Sequence, residues 1–146
     1  MRRLTCSLTL LVVLTAGITL NAQSGTDIVR KVRATIAAGD FAAGQAFIDA
    51  YRGANGVTPE MMAALSWMAR GTYAAGEYDM AAQYSVDTYE MAVAALRTSS
   101  LADPNLETAL GAAIETDALV RAARGDRSSA VYFLERELET YAGSQI

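Results

Sequence analysis

The sequence predicts an all-α protein: three antiparallel helical hairpins stacked as a short right-handed array, after an N-terminal signal helix. Three observations carry this. Alanine fills 29 of the 146 positions and proline only two, a composition biased strongly towards helix. From Ile28 onward apolar residues recur at helical intervals, and no stretch between Gln23 and Ile146 alternates as a strand does. Three turns look alike: Ala37-Ala38-Gly39-Asp40-Phe41, Ala74-Ala75-Gly76-Glu77-Tyr78 and Ala123-Arg124-Gly125-Asp126-Arg127. In each, a helix-stopping glycine is followed by an acidic residue that can accept free N–H groups of the next helix.

The first segment, 1–22, reads as an export signal. Met1, Arg2 and Arg3 make a short positive start, Leu8 to Leu20 is almost wholly apolar, and Leu20-Asn21-Ala22-Gln23 loosely matches a small-residue cleavage site. The apolar run is about 13 residues, short of the ~20 that span a bilayer, so cleavage after Ala22 and export, in bacterial terms to the periplasm, are expected. Membrane contact is then expected only if the signal stays uncleaved. Cys6 precedes the apolar run, the wrong side for a lipoprotein cysteine. The chain from Gln23 onward has no cysteine, so packing alone must hold it together.

That segment, 23–146, reads as one helical domain. Thr26 or Asp27 can cap a first helix to about Ala38, with Ile28, Val32 and Ile36 on one stripe. Asp40 opens a second, about Phe41 to Tyr51, with Ala43, Phe47 and Tyr51 repeating at four. Arg52 to Val57 reads as a loop from its glycine and asparagine content. Thr58-Pro59-Glu60 starts a third helix to about Ala75: threonine as N-cap, proline in the first turn, glutamate beside the positive helix end. Met61, Leu65, Met68 and Thr72 share one face of it. A fourth helix, about Tyr78 to Arg97, repeats Ala81, Tyr84, Thr88 and Ala92. Asp103-Pro104 opens a fifth, with Leu106, Leu110, Ile114 and Ala118 at strict four-residue spacing. The sixth follows Asp126 and carries Ala130, Phe133, Leu134, Leu138 and Tyr141, with Gly143 ending it.

The turn glycines lie 37 and 49 residues apart, a spacing that points to a helical-hairpin array. Gly76-Glu77-Tyr78-Asp79-Met80-Ala81 resembles the G-[DE]-Y-x-x-A of the tetratricopeptide family. Gly76, Tyr78 and Ala81 fall on its turn glycine, aromatic and small crossing residue, Leu65 and Ala69 on the large and small positions of the preceding helix. Thr72 stands where the family has tyrosine. The first hairpin keeps Gly39, Phe41 and a small residue at Gly44; the third keeps Gly125 and Ala130 but has Arg127 at the aromatic position. The resemblance covers about residues 26–142 and implies a groove for a protein or peptide. A signal followed by alanine-rich hairpins also resembles the N-terminal region of exported bacterial thioredoxin-like (TlpA-type) proteins. That second resemblance implies the non-catalytic part of a disulfide oxidoreductase whose C-x-x-C domain is not in this chain.

The residue inventory excludes much chemistry. There is no histidine, hence no zinc site built on histidine and no imidazole acid or base. Without Arg2 and Arg3, ten basic residues face sixteen acidic ones, a net of −6, which argues against nucleic acid. Glu60, Glu77, Asp79, Asp87 and Glu90 could supply paired carboxylates, but no calcium-loop spacing is present. Gly39 and Gly44 lack the lysine and hydroxyl of a phosphate loop. Ser128 and Ser129 read as caps, and the Glu135-Arg136-Glu137 run with Glu139 as a solvated face. No catalytic residue, cofactor or metal is expected. Gly39, Asp40, Phe41, Gly76, Glu77, Tyr78, Ala81, Gly125, Asp126 and Ala130 are read as the turn and packing set, and Trp67, Arg70, Tyr73 and Tyr84 as candidate partner-binding residues. The expected function is recognition of a protein or peptide, not catalysis.

Overall fold

The structure is a computed structural model that describes residues 25–98 and 102–142. The expected signal segment with its cleavage point, Cys6 and Gly143 lie outside them. Six helices follow one another: α1 (Gly25–Ala37), α2 (Phe41–Asn55), α3 (Pro59–Ala74), α4 (Tyr78–Ala95), α5 (Pro104–Ala123) and α6 (Arg127–Thr140). No strand occurs among the described residues.

The three short turns share one construction. Gly39, Gly76 and Gly125 take φ of 73°, 83° and 93°, the left-handed region that a Cβ disfavours. The next N–H reaches back to the carbonyl five residues earlier: Asp40 to Thr35 at 2.9 Å, Glu77 to Thr72 at 2.9 Å and Asp126 to Arg121 at 3.0 Å. This six-to-one closure satisfies a carbonyl that the ending helix leaves free. Asp40 and Asp126 then accept from the N–H of Ala43 (2.9 Å) and Ser129 (3.0 Å). Glu77 corrects the expectation of three acidic caps, because its side chain makes no capping bond. The extra methylene of glutamate carries the carboxylate past the position from which aspartate reaches the first turn. Thr58 and Asp103 cap α3 and α5 ahead of Pro59 and Pro104.

α2 overruns its expected end by one turn. Arg52 to Asn55 are helical, Asn55 donates to the carbonyl of Tyr51 at 3.0 Å, and Gly56 at φ 76° ends the helix. Its buried stripe is Gly44, Ile48 and Tyr51 rather than Ala43, Phe47 and Tyr51; Phe47 is exposed. The face is set by Gly44, where an added Cβ would lie 2.7 Å from Met68 Sδ and 2.8 Å from Thr35 Oγ1.

Packing neighbours decide how much of each helix is buried. The backbone of α3 lies against α1, α2, α4 and α5, that of α5 against α3, α4 and α6, and that of α6 against α5 alone, with α4 reaching α6 only through the side chain of Tyr89. α3 accordingly buries Met61 through Ser66, Met68, Ala69 and Thr72, and α5 buries Leu106, Leu110, Ile114 and a set of alanines between them. Three hydroxyls inside the core are satisfied one turn back on their own helix: Thr72 by the Met68 carbonyl at 2.8 Å, Thr88 by that of Tyr84 at 2.7 Å and Ser66 by that of Ala63 at 2.7 Å, whereas the buried Thr116 hydroxyl has no partner. On α4 the buried stripe is Ala81, Ser85, Thr88 and Ala92, with Tyr84 half-buried beside it.

α6 departs furthest from expectation. It buries Ala130, Phe133 and Glu137, while Leu134 and Leu138 remain 37% and 67% exposed. The helix carries two apolar stripes and has one neighbour, so only the stripe facing α5 is covered. The assignment of Glu137 to a solvated run is overturned: it is 3% exposed.

Candidate functional site

The uncovered stripe of α6 and the adjacent face of α5 form an open groove of about 880 Å³. Gly111, Ala118 and Ala122 line the α5 side with little side-chain bulk; Val131, Leu134 and Leu138 line the α6 side. Glu107, Glu115, Arg70 and, at the start of α6, Arg127 add charge to the lining. Leu119, Val131, Tyr132, Leu134 and Leu138 make up half of the exposed large apolar side chains among the described residues. Their concentration on one helix pair separates them from the scattered exposed apolar residues normal for a protein surface.

The floor of the groove is polar at one point. Glu137 accepts from Tyr89 Oη at 2.9 Å on one oxygen and from Arg136 Nη2 at 2.7 Å on the other. Burial first, then the hydrogen bond and charge of Glu137, push the Tyr89 phenol up from its ordinary value. Burial likewise raises Tyr141 and Tyr84, the latter with help from Asp49 and Asp87. The ring of Tyr89 also meets Phe133 edge-on, centroids 6.4 Å apart, and the Arg121 and Arg136 guanidiniums lie 4.8 and 5.3 Å from the Phe133 centroid.

The four residues singled out for partner binding do not converge. Trp67 lies between Arg33 of α1, 4.3 Å from its ring centroid, and Arg70, at 5.7 Å. Arg70 reaches on to Glu115 of α5 at 2.7 Å. These residues form a strip across α1, α3 and α5 that runs into the groove. Tyr73 instead pairs with Tyr78 across the α3–α4 turn, centroids 5.6 Å apart, and Tyr84 packs against the core. Arg33, Glu115, Leu119 and the outer leucines of α6 escaped sequence reasoning. One signal was available: Arg127, Val131, Leu134, Leu138 and Tyr141 recur at four–three–four–three spacing, a seam of coiled-coil type offset from the buried one.

Among the described residues no group of three or more acidic side chains is placed to hold a metal ion, and no helix is long and apolar enough to cross a membrane. No family model, curated protein or solved structure matches the chain.

Proposed function

We propose that the chain is an exported interaction module that binds a protein or peptide in the α5–α6 groove. Three helical hairpins stack as a short right-handed array of tetratricopeptide-like design. The order of contacts supports that design: α1, α3 and α5 touch in a row, while α2 and α4 each lie between their own partner and the next odd-numbered helix. Such stacking leaves the last hairpin of the described residues with one face open.

The exposure of Leu134 and Leu138 beside an alanine- and glycine-lined wall carries the reading. Apolar surface of this kind, with charged residues among its lining, is the ordinary composition of a docking surface. Export rests on the layout of Met1 to Ala22, and N-terminal sequencing of the secreted form should begin at Gln23.

A photo-crosslinking amino acid at Leu138, with the same residue at exposed Val86 of α4 as control, tests the groove. Discrete polypeptide adducts in vivo at Leu138 and none at Val86 are expected. No adduct, or the same adducts at both positions, would overturn the assignment.

A further inference from the structure

We propose that the groove is filled by α6 of a second copy, so that two α5–α6 hairpins close into a four-helix bundle about a twofold axis. This rests on the reading of the groove as a docking surface and names its occupant.

The seam of α6 is self-complementary when run antiparallel to itself. With the axis beside Leu134, the two Leu134 side chains meet at the centre and Val131 of one copy comes within one residue rise, about 1.5 Å, of the level of Leu138 of the other. Arg127 falls opposite the far end of the second α6, near Tyr141. Four–three spacing keeps such contacts on one face over the whole helix. Gly111 and Ala118 line the α5 wall of the groove, and their small size lets a second helix approach to the 8–10 Å typical of helix pairs.

Charge favours the same arrangement. Arg127 stands at the first position of α6, where the helix end is already positive, and makes no ion pair among the described residues. An antiparallel second α6 brings its negative carbonyl end to this guanidinium, and symmetry repeats the contact at the other end. A twofold interface needs this property, since each patch must complement itself.

Light scattering on the protein purified after export should give the mass of two chains. L134E/L138E should halve that mass while helical content stays unchanged, because both side chains are exposed in the single chain, and the melting temperature should lose its dependence on protein concentration. On a C6S background, L134C should form a disulfide-linked dimer on mild oxidation; V131C should do so when mixed with L138C. A protein that stays monomeric at high concentration overturns the proposal, as does a dimer indifferent to L134E/L138E. If the chain is monomeric but the Leu138 crosslinker still captures a different polypeptide, the second copy is wrong and the groove stands. If neither dimer nor adduct forms, both fall.

Discussion

The Tyr89 phenol of α4 donates to Glu137 of α6 across 2.9 Å, although these two helices are not backbone neighbours. This side-chain bridge holds α6 to the body of the protein beyond its single packed face. It also neutralises the cost of burying a carboxylate, since Arg136 satisfies the other oxygen.

Removing the phenol should therefore be expensive. Y89F leaves one oxygen of Glu137 buried and without its donor, a loss of about 1–3 kcal/mol. Urea denaturation should report that loss. In Y89F/E137L, where both polar partners are gone, the total should be smaller than the sum of the two single variants.

The same bridge sets an alkaline limit. A phenol whose value is raised in the fold contributes stability that is complete below the ordinary value of about 10 and is lost as pH rises through the folded value. Tyr84, Tyr89 and Tyr141 are all raised. The melting temperature should fall above pH ~10, and phenolate absorbance should lag behind that of the urea-unfolded chain. In Y89F the lag should shrink.

Two helical glycines should respond to alanine with opposite signs. At Gly71 an added Cβ would lie 2.5 Å from Ile36 Cγ2, a β-branched methyl that cannot swing away, so G71A should destabilise by about 1–3 kcal/mol. Gly53 meets nothing within 4 Å, and G53A should stabilise α2 by about 0.5–1 kcal/mol. Thermal melts of the pair decide it; a neutral or stabilising G71A would refute the packing at Gly71, and a destabilising G53A the open space at Gly53.

The acidic turn residues should separate in the same way. D40A and D126A remove capping bonds and should each cost about 1 kcal/mol, whereas E77A should cost a few tenths at most, its side chain capping nothing. Equal losses at all three would mean that charge near the helix end, not the hydrogen bond, is what matters.

What could be read along the chain was most of what near neighbours govern. The left-handed glycines, the Asp40 and Asp126 caps, the proline starts at Pro59 and Pro104 and the stripes of α1 and α5 all depend on residues within about one or two turns of each other. α2 runs past its expected end because Gly53 tolerates a helix when its backbone bonds are met, and the stop is Gly56.

Burial of whole faces was a different matter. Local pattern presents two apolar stripes on α6 as equals, and nothing in the order of residues says that α5 alone would come to rest against it. Glu137 entered the core because Tyr89, 48 positions earlier, arrived beside it, and Leu134 and Leu138 were left outside because no further helix of the described residues did. Helix formation is a matter of hydrogen bonds four residues apart, so the chain announces it. Which side of a helix meets water depends on how many partners surround it, and assembly alone sets that number.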